Sequence, residues 1–91
     1  MKTIFILMGQ YEGKAIIPVE TACTDYFRIT PDKFWRKIKD GEIDIPVVRL
    51  GETQKSAKGI HITDLAAYLD KQRELAIKEN DQLHGRLRKA S

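Results

Sequence analysis

The sequence predicts an α+β domain, mainly α, in which two short helices joined by a tight turn precede a two-stranded antiparallel hairpin and a C-terminal helix. Three observations predict it. Thr30-Pro31, with Gly41 beyond it, brackets a short helix, because a threonine hydroxyl can cap orphan backbone N–H groups, proline suits the first helical position and glycine the left-handed exit. The runs Ile45-Pro46-Val47-Val48-Arg49-Leu50 and Ile60-His61-Ile62 flank a polar stretch from Gly51 to Gly59, the pattern of a hairpin with a long tip. Leu65, Ala66, Tyr68, Leu69, Leu75 and Ala76 then recur with helical period.

In chain order, Ile4, Leu7, Met8 and Tyr11 give residues 3–12 the spacing of a short amphipathic helix, although Ile4-Phe5-Ile6 alone suits a strand. Gly13 ends that element and Ala15-Ile16-Ile17 reads as a short extended piece. Pro18 suits the first turn of a helix running to about Phe27, with Val19, Ala22, Cys23 and Tyr26 or Phe27 inward. After the turn at residues 28–30, the helix to Asp40 turns Phe34, Trp35 and Ile38 to the core. Thr63 and Asp64 are positioned to cap the last helix, whose apolar face thins past about residue 78. Residues 1–80 are expected to form one domain and residues 81–91 a basic tail carrying Arg86, Arg88 and Lys89.

The bulk properties agree with a single core. A chain of 91 residues is below the length at which domains split, and 32% charged residues predict a heavily charged surface. Cys23 has no partner for an intramolecular disulfide, and with only His61 and His84 beside it no zinc ligand cluster is expected; a reducing cytoplasm fits. The run Ile4-Phe5-Ile6-Leu7-Met8 is too short for a signal or spanning segment and is read as buried structure. A net charge of +3 permits nucleic-acid binding without arguing for it. Its distribution says more: residues 28–61 and 84–91 are positive, whereas residues 1–27 and 62–83 are negative.

A helix, a tight turn, a second helix and a hairpin form the winged helix-turn-helix arrangement, in which the second helix enters the major groove of DNA and the wing reaches nearby backbone. With Phe34, Trp35 and Ile38 inward, Lys33, Arg36 and Lys37 occupy the opposite face, with Asp32 nearby. Arginine forks onto guanine O6 and N7 while lysine mostly neutralises phosphate, so Arg36 is expected to read bases and Lys33 and Lys37 to clamp phosphates. Thr53-Gln54-Lys55-Ser56-Ala57-Lys58-Gly59 has two lysines, small polar side chains and no acid, which suits a wing tip on phosphate oxygens. Gln54, Lys55, Ser56 and Lys58, with Arg28, Thr30 and Arg49, complete the candidate DNA-binding set. Taken singly these are ordinary surface residues; their placement after the turn favours the functional reading.

Other chemistries find less support. Trp35 is expected in core packing rather than stacked on a base, since the basic region holds no second aromatic. His61 lies between two isoleucines, Cys23 sits in an apolar helix, and Glu42 with Asp44 or Asp70 with Glu74 reads as surface charge, so no enzyme and no cofactor are expected. Leu65, Tyr68, Leu69 and Leu75 exceed what a capping helix needs and are the candidate homodimer contacts, although Gln72 and Glu79 interrupt any heptad seam.

The chain resembles the pyocin activator protein family of PrtN-like regulators from Thr3 to about Glu79. The residues that carry the resemblance are Phe5-Ile6-Leu7-Met8-Gly9-Gln10-Tyr11, Ile17-Pro18-Val19-Glu20, Asp25-Tyr26-Phe27, Thr30-Pro31-Asp32-Lys33-Phe34, Gln54-Lys55-Ser56-Ala57-Lys58-Gly59 and Asp64-Leu65-Ala66-Ala67-Tyr68-Leu69-Asp70. The resemblance implies a transcriptional activator of phage-tail-like bacteriocin genes that binds promoter DNA in the bacterial cytoplasm and nucleoid and works with RNA polymerase. More distantly, Phe34 to Ile43 and the wing are similar to excisionase-type winged domains, which implies an architectural DNA-bending role as the alternative. A module that covers an acidic protein partner with the same basic face is a third reading.

Overall fold

The computed structural model describes residues 2–52 and 57–85. Along the chain run α1 (Thr3–Gln10), β1 (Ile16–Pro18), α2 (Val19–Ala22), a π-helical segment (Cys23–Phe27), α3 (Pro31–Lys39), β2 (Val48–Arg49), β3 (Lys58–His61) and α4 (Ile62–Leu83). The domain is α+β and mainly helical, as the sequence predicts, with one small antiparallel sheet and a C-terminal helix.

α1 is helical through the run that also suits a strand. Ile4, Leu7 and Tyr11 meet the core at helical spacing. Met8, expected beside them, is 43% exposed, as are Phe5 at 56% and Ile6 at 53%, so the inward stripe is narrower than the apolar run.

The extended piece after α1 is a full member of the sheet. β1 pairs antiparallel with β3, setting Ile17 opposite Ile60 and Pro18 opposite Gly59, and the strand order is β1-β3-β2. The expected two-stranded hairpin is therefore a three-stranded sheet. Gly59, in the central strand, is wedged: a Cβ there would lie 2.5 Å from the Ile16 Cγ2 and 2.9 Å from the Ile17 carbonyl oxygen. Pro18 ends the edge strand, where its missing N–H is tolerated, and serves as the N-cap of α2 rather than its first residue.

Val19, Ala22 and Cys23 are buried, with Tyr26 and Phe27 half-buried behind them. The helix expected to run to Phe27 is α only to Ala22 and then widens into the π-helical segment. Arg28 closes it in the left-handed conformation, φ 57°, its N–H donating to the Cys23 carbonyl. Phe27 packs its ring 4.8 Å from that of Phe34 and 5.5 Å from that of Tyr68, which ties the first helix to α3 and α4.

α3 begins and ends where its caps predict. The Lys33 N–H donates to the Thr30 hydroxyl oxygen at 3.3 Å, and Pro31 takes the first position. At the other end Gly41 adopts φ 78°, and the N–H groups of Gly41 and Glu42 return to the Ile38 and Lys37 carbonyls, a Schellman closure.

Ile43 and Ile45 are buried without strand geometry, and the strand expected from Ile45 is confined to Val48–Arg49; Pro46 has no N–H to give a ladder. β3 starts earlier than expected, so Lys58 and Gly59 are strand rather than loop residues. α4 is capped by His61, whose ring Nδ1 accepts from the Thr63 N–H at 3.1 Å, while Thr63 and Asp64 lie inside its first turn. Ile62, Leu65 and Ala66 bury its first half, along which α1 lies with the Thr3 hydroxyl donating to the Asp70 carboxylate. Among the described residues no helix is long and apolar enough to cross a membrane.

Candidate nucleic-acid interface

Helical period divides α3 into two faces. Phe34 is completely buried and Ile38 packs against the same core; Lys33 and Arg36 stand exposed on the other side. Lys37 is turned towards the end of the helix, where its ammonium donates to the Glu42 carboxylate at 2.9 Å. That pair is solvent-exposed, so it adds little stability, but it engages the Lys37 ammonium, whereas no ion pair is found for Lys33 or Arg36 among the described residues. Thr30 is engaged as the cap, and Arg28 is exposed at the left-handed exit of the π-helical segment. Both therefore lie in the turn that precedes α3.

Trp35 departs from the expected core position. It is half-buried and stands outside the buried cluster, between α3 and the sheet. Three cations surround its ring: Lys58 at 5.0 Å from the centroid, Arg49 at 5.8 Å and Lys39 at 6.0 Å. Arg49 and Lys58 belong to the expected set; Lys39 does not. The available signal was its spacing, since positions i and i+4 of a helix are surface neighbours. A cleft that Trp35 helps to line also takes in Glu20, Asp32, Ala57 and Lys58, so two acidic residues share it with Lys58. Gln54, Lys55 and Ser56 lie outside the described residues.

The candidate dimer residues separate by burial. Leu65 is wholly buried in the chain's own core, and Tyr68 and Leu69 pack partly against it. Only Leu75, 50% exposed, is presented outward. Exposed apolar surface also lies on α1, at Phe5, Ile6 and Met8.

Polar chemistry elsewhere is structural in geometry. The Tyr11 hydroxyl donates to the Asp25 carboxylate at 2.6 Å, the Gln10 amide donates to the Tyr11 oxygen, and the Tyr26 hydroxyl donates to the Gln10 carbonyl oxygen. This network bolts α1 to the π-helical segment. Burial, and then the bond to Asp25, push the Tyr11 hydroxyl well above its usual pKa. Burial, with the Glu20 charge second, pushes the Cys23 thiol up, which disfavours the reactive thiolate. His61 is occupied as a helix cap. Among the described residues no three metal-binding side chains converge.

A helix with a π-helical end, a turn at residues 28–30, a second helix with a cationic outer face and a three-stranded antiparallel sheet together define a small, mainly helical α+β domain. Within that class the particular family is shown by sequence: the family described as Pyocin activator protein PrtN matches residues 3–76, and the chain belongs to it. The family is one of transcriptional activators, not of enzymes. No match is found among curated proteins or among solved structures.

Proposed function

We propose that this activator binds double-stranded promoter DNA sequence-specifically, with α3 in the major groove and the β2–β3 hairpin as a wing on the backbone. The observation that carries the reading is the outer face of α3, where Lys33 and Arg36 are exposed opposite the buried Phe34. A helix fixed by its inward face and by caps at both ends presents such side chains in a set direction, which major-groove readout requires. Arg36 is the base reader; Lys33, Arg28 and Arg49 contact phosphates. Lys37, held by Glu42, is a weaker candidate than its neighbours. The target promoters are those of phage-tail-like bacteriocin genes, which the family's description supports, and the site of action is the bacterial cytoplasm and nucleoid, with RNA polymerase as partner.

A homodimer places two α3 helices in successive grooves about 34 Å apart, with Leu75 and the outer edges of Tyr68 and Leu69 as contacts. The test is footprinting of the purified protein on a bacteriocin-cluster promoter together with transcription in a purified polymerase system. Protection of paired half-sites with raised transcription supports the reading. Protection and bending without activation favours an architectural role, and absence of protection defeats both.

A further inference from the structure

We propose that Trp35 gathers Lys39, Arg49 and Lys58 into one seat for the phosphodiester backbone of duplex DNA, joining the end of α3 to the hairpin; this rests on the DNA-binding reading above. Arg49 and Lys58 are register partners across β2 and β3, so two like charges stand opposite each other on one side of the sheet. That arrangement disfavours strand pairing. Lys39, one helical turn beyond Trp35, brings a third cation from a different element, and none of the three is more than 6.0 Å from the ring centroid. The electron-rich ring face attracts each cation, and an anion lodged beside Lys39 and Arg49 offsets the repulsion that remains between those two.

The chemistry of that anion follows from its place. Glu20 and Asp32 share a cleft with Lys58, whereas Lys39 and Arg49 are both exposed and form no ion pair among the described residues. The charge without an ion pair therefore sits on Lys39 and Arg49, at the end of the helix that carries Lys33 and Arg36. A duplex laid on that helix presents one negative charge per about 1.7 Å of axis, which matches a cluster drawn from three elements around one ring. Trp35 is the positioning residue. It lies outside the buried cluster and its ring spans the gap between α3 and the hairpin, so it fixes the wing cations relative to the recognition helix.

The experiment is a salt series of anisotropy titrations with a fluorescent random-sequence duplex, with thermal melting of each variant alongside. Lys39→Gln and Arg49→Gln are each expected to flatten the slope of log K against log salt by about 0.9. Trp35→Leu removes no charge and is expected to flatten it by at least as much, whereas Trp35→Phe restores most of the slope. If the unaltered protein binds duplex and Lys39→Gln leaves the slope unchanged, the seat is overturned and the DNA-binding reading stands. An unchanged slope in a folded Trp35→Leu protein also overturns it. No duplex binding by the unaltered protein overturns both.

Discussion

α3 and α4 both begin on a side-chain cap, Thr30 and His61 respectively, yet they do different work. α3 is short, closed at both ends, and anchored by the single fully buried Phe34; its charged residues are Lys33, Arg36, Lys37 and Lys39 against Asp32. α4 is longer, buried through Ile62, Leu65 and Ala66, and its charge is acidic, with Asp64, Asp70, Glu74, Glu79 and Asp81 against Lys71, Arg73 and Lys78. The difference separates a scaffold from a presenting surface. α4 with α1 and the sheet makes the core, and α3 is pinned to it at few points so that its outer face can carry cations.

The anchoring is broken most severely at Phe34. Phe34→Ala should cost about 4 kcal/mol and Leu65→Ala about 3 kcal/mol, large fractions of the stability a small domain has. Urea unfolding followed by circular dichroism measures both. A cost for Phe34→Ala no greater than that of a surface substitution means that α3 is not held by this side chain.

Next comes the sheet that joins the two regions. Gly59→Ala forces a methyl group against the Ile17 carbonyl, and about 2 kcal/mol is expected for such overpacking. Retention of full stability would show that β1 can part from β3 at no cost.

The Tyr11–Asp25 bond tests the scaffold's attachment to the first helix of the pair. Tyr11→Phe should lose about 1.5 kcal/mol near neutrality, as for a hydrogen bond to a charged acceptor. The pH dependence follows from the raised Tyr11 pKa: the folded state keeps the proton after the unfolded chain has begun to lose it near pH 10. This contribution is complete below about pH 10 and is lost as pH rises above it. Urea midpoints should therefore fall less steeply at alkaline pH in Tyr11→Phe than in the unaltered chain. Identical slopes would remove Tyr11 as the titrating group.

The smallest effect belongs to the cap. Thr30→Ala should cost about 1 kcal/mol, and NMR or hydrogen exchange should place the loosening in the first turn of α3 and leave α4 unchanged.

Where a feature depends on a few consecutive residues, the sequence was enough to see it. Thr30-Pro31 and Gly41 set the bounds of α3 because caps and left-handed exits are local chemistry, and the exposed Lys33 and Arg36 follow from helical period. Features that depend on partners distant in the chain were not visible. The pairing of Ile17 with Ile60 makes β1 part of the sheet, and no run of residues near position 17 announces a partner more than forty positions away. His61 is a strand residue, as its neighbours suggest, and its second role as a cap depends on where its ring turns at the end of β3. Helical period places Trp35 inward because it does not distinguish a side chain facing the core from one facing a neighbouring hairpin. Leu65 and Leu75 share the apolar period of α4, but only the packing of α1 and the sheet over its first half separates the buried residue from the exposed one.

Binding of duplex DNA by the outer face of α3 differs in its consequences from attraction by positive charge in general. It is tested most directly by comparing two variants with equal charge loss, Lys33→Ala with Arg36→Ala on α3 and Lys71→Ala with Lys78→Ala on α4, in titrations of one promoter duplex at fixed salt. A loss of at least about tenfold is expected for the α3 pair, the size of one base-reading contact, with nearly unchanged affinity for the α4 pair. Equal losses from the two helices would contradict it.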